Sequence, residues 1–134
     1  AIMPAPGTYA VVFDSPTRAG AGAFKFRLWI GDTTPPSAKL TTRSVRVGLP
    51  LRVRVRDAGA GVDPASLEAT IDGRRVTARL VGEEVRIQTI GHAPGTRRLR
   101  LSVADYQETR NMENVARILP NTRVVNASVT VRRR

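Results

Sequence analysis

Apolar and charged residues alternate along residues 45–56 of this chain. Because successive side chains of a β-strand point to opposite faces of a sheet, the alternation puts one kind of residue on each face. The pattern therefore predicts strands that cover a core with one face and meet solvent with the other. The apolar set is Val45, Val47, Leu51, Val53 and Val55, and the charged set is Arg46, Arg52, Arg54 and Arg56.

Similar alternating segments recur from residue 38 onward and predict about seven strands. Asp72-Gly73 is the strongest hairpin signal, since both residue types tolerate the positive φ angles of a two-residue turn. Pro94-Gly95 marks a second turn. Short strands with a turn signal about every ten residues are typical of an immunoglobulin-like antiparallel sandwich, an all-β fold. The predicted strands are 39–42 together with 44–48, then 51–57, 67–72, 76–80, 84–90, 98–104 and 122–131.

The start of the chain predicts a separate N-terminal β-hairpin. Residues 9–13 and 24–30 each alternate, and turn-forming residues separate them. A hairpin alone is at best marginally stable in water, so it must pack on the rest of the chain or complete a preceding domain. Pro35-Pro36 form a stiff connector, because consecutive prolines fix φ and donate no amide hydrogen. We therefore expect residues 1–34 to be the C-terminal hairpin of a preceding β-domain plus linker, and residues 35–134 to be the sandwich.

Composition limits the classes of protein that the chain can belong to. Its 134 residues suffice for one ordinary domain, and the lack of cysteine excludes a disulfide framework and a thiolate metal site. No apolar run approaches the roughly 20 residues that span a bilayer. Because the chain opens Ala1-Ile2-Met3-Pro4, we expect it to be a piece of a longer protein.

The net charge of +11 comes almost entirely from arginine, since Lys25 and Lys39 are the only lysines. Arginines recur in nearly every predicted strand, so in a sandwich they coat both outer faces. A nucleic-acid groove instead needs cations gathered on one side among aromatic rings, and only 4% of the residues are aromatic. We expect no specific nucleic-acid partner. A cell-wall glycan or another polyanion is the alternative partner for the arginines. The candidate polyanion contacts are Arg52, Arg54, Arg56 and Arg86.

Two stretches carry a family resemblance. Residues 57–64, Asp-Ala-Gly-Ala-Gly-Val-Asp-Pro, followed by Ile71-Asp72-Gly73, resemble the D-x-G-x-G-V-D-P…D-G stretch of bacterial immunoglobulin-like modules. Pro94-Gly95-Thr96 before residues 99–105 resembles the glycine turn that leads into the penultimate strand of those modules. Such modules are repeated in large exported proteins, including cell-surface proteins and secreted subtilisin-like proteases.

The resemblance implies a non-catalytic accessory domain of a secreted or cell-surface bacterial protein. Its role would be to space, orient or anchor that protein, and its partners would be the neighbouring domains of the parent chain. Residues 7–15 resemble the closing hairpin of small β-domains that follow the catalytic domain of secreted peptidases. The chain departs from the family after Asp105, where residues 106–111 replace a short glycine-asparagine turn.

Acidic residues at predicted loop ends form a candidate calcium site. In an immunoglobulin-like fold Asp57, Asp63, Asp105 and Asn111 would lie at one end, and Ca²⁺ takes about six to eight oxygen ligands of these types. Short acidic side chains also cap turns and accept hydrogen bonds from loop amides. The spacing matches no EF-hand, so the sequence favours capping and leaves calcium as the alternative. No other cofactor is expected.

Catalytic patterns are not evident in this segment. His92 is the only histidine and lies in a turn, and no serine has a Gly-x-Ser-x-Gly elbow. Glu83 and Glu84 are adjacent beside Gly82, which predicts a solvated turn and not two carboxylates across a cleft. We expect no catalytic residue here, whereas a subtilisin-like serine protease is a candidate for the parent chain.

Trp29 lies on the opposite side of its predicted strand from Phe24, Phe26, Leu28 and Ile30. Apolar groups on both faces of a strand predict burial on both. Packing against the sandwich or a neighbouring domain is therefore the favoured role of Trp29, and a sugar-stacking platform is the alternative. Two functions remain for the whole chain. One is a spacer, and the other is an adhesion module that binds a glycan or other polyanion through its arginines and the loop at 105–121.

Overall fold

The computed structural model describes residues 7–12, 22–23, 25–107 and 121–133. Within this part of the chain the fold is all-β, with nine strands in two sheets and one short 3-10 helix, Pro64–Ser66. No helix in the described part is long and apolar enough to cross a membrane. The strands are β1 (Ser37–Leu40), β2 (Ser44–Arg46), β3 (Leu51–Arg56), β4 (Glu68–Ile71), β5 (Arg74–Val76), β6 (Ala78–Val81), β7 (Glu84–Ile87), β8 (Gly95–Ala104) and β9 (Thr122–Arg132).

Two sheets of unequal size form the fold. The four-stranded sheet has the order β1-β3-β7-β6, and the five-stranded sheet has the order β2-β9-β8-β4-β5. Strand neighbours in the described part are antiparallel, with the exception of β2, which runs parallel to β9 with Ser44 opposite Thr130. The long β8–β9 ladder pairs Gly95 with Val131 at one end and Ala104 with Thr122 at the other. It is the longest pairing in the described fold.

One hydrophobic core lies between the two sheets. Leu51 of β3 in the four-stranded sheet and Leu101 of β8 in the five-stranded sheet both have 0% of their surface exposed. Their neighbours Arg52 and Arg100 face solvent, as the alternation predicts. Burying side chains of this kind contributes about 1.5–3 kcal/mol each. The core consists of Val45, Leu51, Val53, Val55, Ala69, Ile71, Val85, Ile87, Leu99, Leu101, Val103 and Val129.

The structure has nine strands where the sequence predicts about seven, because two predicted strands change sheets midway. The first predicted strand divides at residues 41–43, so that β1 lies in one sheet and β2 in the other. The predicted strand 76–80 divides in the same way at Thr77, between β5 and β6. Alternation cannot reveal such a crossing, because the same residues stay on the inner side when a strand passes from one sheet to the facing one.

The predicted turn at Asp72-Gly73 is confirmed. Both residues have positive φ angles, 50° for Asp72 and 80° for Gly73, and they join β4 to β5. The carboxylate of Asp72 accepts hydrogen bonds from the main-chain N of Arg98 at 2.8 Å and from the Arg97 side chain at 3.2 Å. These two bonds, with the main-chain bond first, lower the pKa of Asp72. The turn is thereby tied to β8.

The N-terminal hairpin is not present in the described residues. Residues 7–12, 22–23 and 25–36 form no strand, and residues 13–21 and 24 lie outside the described part. Phe26 and Leu28, which lie in the second predicted strand of the hairpin, are 66% and 68% exposed. The side chains of Arg27, Trp29 and Asp32 instead contact the sandwich. The predicted loop at 105–121 is described only at its ends.

The N-terminal segment and several strand ends meet at one end of the fold. Ser37 at the start of β1 lies opposite Arg56 at the end of β3, and Thr122 at the start of β9 lies opposite Ala104 at the end of β8. The side chain of Arg123 donates to the carbonyl of Pro36 at 3.0 Å, which joins these two sets. We name this end the N-terminal pole. The opposite end, where β9 ends, is the C-terminal pole.

Candidate functional site

Three carboxylates come together at the N-terminal pole. Asp32 precedes β1, Asp57 follows β3 and Asp105 follows β8, and one oxygen from each lies within 4.8 Å of the others. β3 and β8 belong to different sheets but end at the same pole, and the segment before β1 passes between their ends. Asp32 and Asp57 are half-buried, and Asp105 is fully buried. We name these three residues the acidic cluster.

Loop amides hold two members of the acidic cluster in place. Asp57 Oδ2 accepts hydrogen bonds from Gly59 N at 3.1 Å and Gly61 N at 2.5 Å. Asp32 Oδ2 accepts from Ala60 N at 2.7 Å, and Asp32 Oδ1 accepts from Thr34 N at 3.0 Å. Residues 57–61 therefore wrap around both carboxylates. The loop needs its glycines, since a Cβ at position 59 would overlap the Asp32 carboxylate.

Asn121 contacts two residues of the acidic cluster, Asp32 and Asp105. Its Nδ2 donates to the main-chain carbonyl of Asp32 at 2.8 Å, and its own carbonyl accepts from Asp105 N at 3.3 Å. The residue is 0% exposed. Its Oδ1 has no hydrogen-bond partner in the described part of the chain. Because a buried acceptor without a partner is unfavourable, this atom indicates a missing donor or cation.

The acidic cluster concentrates negative charge in a basic protein. Two unit charges about 4 Å apart repel by about 4 kcal/mol at an effective dielectric constant of about 20. Among the described residues, the five ion pairs all lie elsewhere, and none involves Asp32 or Asp57. Within the described part of the chain, Arg27 is a cation near the cluster, but its Nη1 donates to the carbonyl of Ala60 at 3.0 Å. Its guanidinium lies 4.3 Å from the centre of the Tyr106 ring.

The structure brings together two of the four predicted calcium ligands. Asp57 and Asp105 lie in the acidic cluster, whereas Asn111 lies outside the described residues. Asp63 does not join the cluster, because its Oδ1 accepts from Ala65 N at 2.8 Å and caps the 3-10 helix. The bonding to loop amides that the sequence favours thus applies to Asp63, and Asp57 likewise accepts from the amides of Gly59 and Gly61.

Sequence reasoning missed Asp32 and Asn121. Asp32 belongs to a segment predicted to be a linker, and Asn121 follows Pro120 at the end of the long loop. No local spacing relates either residue to Asp57, since only the meeting of strand ends brings them together. The one available signal was a short acidic residue three positions before the Pro-Pro connector.

Trp29 contacts the sandwich at the same pole. Its Nε1 donates to Oε1 of Gln107 at 2.5 Å, and the side chain is half-buried. Together with Arg27 and Asp32, the indole ties the segment before β1 to residues 57–61 and 105–107. The neighbouring side chains Leu28 and Ile30 are 68% and 86% exposed.

The predicted polyanion contacts share the outer face of the four-stranded sheet. Arg56 pairs with Glu83 at 2.6 Å, Arg86 pairs with Glu84 at 2.9 Å, and Arg52 reaches Glu84 at 3.5 Å. Glutamates on the β6–β7 hairpin therefore compensate part of this positive charge. The hydrogen bond from Arg86, followed by the charge of Arg52, lowers the pKa of Glu84.

Exposed arginines lie on both sheets, and Arg54 on the four-stranded sheet is one of them. Arg54 lies opposite Lys39 of β1 and Glu84 of β7, and it forms no ion pair among the described residues. On the five-stranded sheet, Arg98 and Arg100 of β8 are exposed. Guanidinium groups therefore cover both outer faces of the fold.

His92 lies beside a shallow surface depression between β5 and the segment after β7. The depression is also lined by Arg74, Arg75 and Gln88. The described residues that line the depression include no carboxylate.

Comparisons of the chain with protein-family models, curated proteins and solved structures return no match.

Replacing Gly59 with alanine should detach the segment before β1 from the pole. The added methyl group overlaps the Asp32 carboxylate, so Asp32 must move and lose its bond to Ala60. Trp29 is the only tryptophan, so its fluorescence reports on this segment. We expect red-shifted emission and stronger quenching by acrylamide in Gly59→Ala, with an unchanged far-UV circular dichroism spectrum.

Gly22→Ala is the matched control, since nothing lies within 4 Å of a Cβ at that position. It should keep the wild-type emission. Wild-type emission in Gly59→Ala as well would show that the segment is not held by the Asp32 contact.

Glu84→Gln should reduce the acid sensitivity of the fold. The folded-state pKa of Glu84 is lowered from its ordinary value of 4.5. The ionised side chain therefore contributes stability above that value, and the contribution is lost as the pH falls through the lower folded pKa. We expect the melting temperature of Glu84→Gln to fall less than that of the wild type between about pH 5 and pH 3.

The difference between Glu84→Gln and wild type should shrink in about 0.5 M NaCl, because the pairs are exposed and salt screens them. Parallel pH profiles at low salt would contradict the assigned role of the arginine contacts.

Proposed function

We propose that this chain is a non-catalytic spacer module of a large exported bacterial protein, a secreted protease or a cell-surface protein. Its fold would be an immunoglobulin-like sandwich. In the seven-stranded immunoglobulin fold the strands are lettered A to G in chain order. One sheet of that fold has the order A-B-E-D, and the other contains C, F and G. The orders β1-β3-β7-β6 and β9-β8-β4 match these two sheets, with β2 and β5 as additional edge strands. The strand order supports the proposal independently of the sequence motifs.

The observation that carries the spacer function is that the chain enters the sandwich and leaves it at opposite poles. The chain enters β1 at the N-terminal pole, and β9 runs from that pole to Arg132 at the other. β9 has 11 residues, which at about 3.4 Å each span roughly 35 Å. A domain that receives the chain at one end and releases it at the other separates its neighbours by its own length.

The segment before β1 supports a neighbouring domain on the N-terminal side. Phe26, Leu28 and Ile30 are 66%, 68% and 86% exposed, while Trp29 between them contacts the sandwich. Exposed large apolar side chains close together commonly mark a surface that another domain covers. The contacts of Arg27, Trp29 and Asp32 would then orient that domain relative to the sandwich.

The parallel β2–β9 pairing gives the spacer a mechanical mechanism. Tension applied at the two poles pulls β2 and β9 in opposite directions along their axes. The hydrogen bonds between Ser44–Arg46 and Thr130–Arg132 then resist as a group and are not opened one by one. The bond from Val47 N to the carbonyl of Arg132 at 2.9 Å extends this group.

An adhesion module for a glycan or other polyanion is the second candidate function. The observation in its favour is the exposed neighbourhood of Arg54 and Lys39, which form no ion pair among the described residues. Against it, Glu83 and Glu84 compensate the adjacent arginines, and the remaining cations lie on both sheets. The distribution of charge therefore favours the spacer.

Val47→Pro should weaken the fold under tension. Proline removes the N–H that bonds to the carbonyl of Arg132, so one hydrogen bond fewer resists the shearing of β2 against β9. Single-molecule force spectroscopy through the two termini should show a lower unfolding force than in the wild type. Val47→Ala, which loses the side chain but keeps the N–H, is the control and should stay closer to the wild type. Equal forces in all three proteins would overturn the mechanical role.

Titration against heparin, duplex DNA and cell-wall polysaccharide should give no saturable binding at about 0.15 M salt. Flat curves at high protein concentration support the spacer. Saturable binding that is lost in Arg54→Gln and kept in Arg98→Gln would instead establish the adhesion module, since these two substitutions remove the same charge from different sheets.

A further inference from the structure

We propose that the N-terminal pole binds a divalent cation, Ca²⁺ in preference to Mg²⁺, through Asp32, Asp57 and Asp105 with Asn121 Oδ1 as a further ligand. The site would join the segment before β1 to the ends of β3 and β8. It stands on the geometry of the pole and does not depend on the spacer function.

The distances within the acidic cluster suit a single calcium ion. Ca²⁺ binds oxygen at about 2.4 Å, so two oxygens on opposite sides of one ion lie about 4.8 Å apart. The three carboxylate oxygens lie within 4.8 Å of one another. Ca²⁺ also accepts carboxylates in either one- or two-oxygen mode, whereas Mg²⁺ demands a stricter octahedron and usually retains several waters. Separations of this size are compatible with one Ca²⁺ bound by all three carboxylates.

The hydrogen bonds of the carboxylates leave ligand capacity. An ionised carboxylate has about four lone-pair sites. The described bonds to Asp32 come from Ala60 N and Thr34 N, and those to Asp57 come from Gly59 N and Gly61 N. These amides fix the directions of the carboxylates and leave other lone pairs for an ion.

Asn121 gives independent support for a ligand. Its Oδ1 is fully buried and lacks a hydrogen-bond partner in the described residues. The Nδ2 of the same amide reaches the main chain of Asp32, and the main-chain carbonyl of Asn121 accepts from Asp105. Asn121 is thus held against Asp32 and Asp105, two of the three residues of the acidic cluster. Amide oxygens are ordinary calcium ligands.

The negative charge of the pole indicates that the missing partner of Asn121 Oδ1 is a cation and not a hydrogen-bond donor. Asp32 and Asp57 form no ion pair among the described residues, and Arg27 directs its described bond to a carbonyl oxygen. A divalent ion would compensate the charges of Asp32 and Asp57 at once. It would also hold the segment before β1 on the sandwich, because one ligand comes from that segment and one from the end of each of β3 and β8.

Calorimetric titration of the EDTA-treated and dialysed chain with CaCl₂ and, separately, MgCl₂ tests the site. We expect one Ca²⁺ per chain with a dissociation constant of about 10⁻⁴–10⁻³ M, the range of extracellular calcium modules, and weaker binding of Mg²⁺. About 10 mM CaCl₂ should raise the melting temperature by about 5 °C or more. Trp29 emission should shift to the blue as the segment before β1 is held more firmly.

Asp32→Asn should weaken calcium binding by about tenfold or more, since it removes one charged ligand from a residue that lies in no strand. Glu83→Gln is the matched control, because it removes one negative charge from an exposed turn outside the cluster, and it should bind as the wild type does. Absence of binding heat and of a thermal shift in the wild type would overturn the proposal. Equal affinity in Asp32→Asn would also overturn it.

Terbium luminescence provides a test that needs no variant. Tb³⁺ replaces Ca²⁺ at oxygen sites, and Trp29 and Tyr106 lie at this pole as sensitisers. We expect sensitised emission that saturates and is displaced by CaCl₂. Emission that CaCl₂ does not displace would contradict a calcium site.

Discussion

Contact between the inner faces of the two sheets is the interaction on which every other feature of this fold depends. Leu51, Val53 and Val55 of β3 meet residues of β8 such as Leu101 across the core, and each is at most 1% exposed. A shift of one residue in any of these strands would exchange the buried valines for arginines. Burial thus fixes the register, and the register in turn fixes where each strand ends.

The positions of the strand ends produce the chemistry of the N-terminal pole. Asp57 and Asp105 each come directly after a core strand, so the packing of β3 against β8 sets the separation of their carboxylates. Asp32 enters this arrangement because loop 57–61 offers the amide of Ala60 to its side chain. An acidic centre therefore forms in a protein of net charge +11 without any acidic run in its sequence. The arginines, by contrast, lie where alternation puts them and spread over both outer faces.

The sequence predicted those features that depend on local pattern. Alternation identified the inner and outer residues of β3 and β8, and Asp72-Gly73 identified a turn with two positive φ angles. The crossings at residues 41–43 and at Thr77 escaped prediction, since a strand keeps its inner face when it changes sheets. The same local reasoning predicted a hairpin before residue 31, although the described residues there form no strand. The acidic cluster could be predicted only in part, because Asp32 and Asn121 reach it through tertiary contacts that no spacing in the chain records.

The edge strands of both sheets affect how copies of this domain behave when they lie close together. β1, β2, β5 and β6 form the four margins of the sheets, and none is longer than 4 residues. Each carries a cation, such as Lys39 on β1 or Arg79 on β6. Short, positively charged margins oppose the addition of a strand from another molecule. Copies of this domain strung closely together would thus resist fusing into continuous sheets and amyloid-like aggregates.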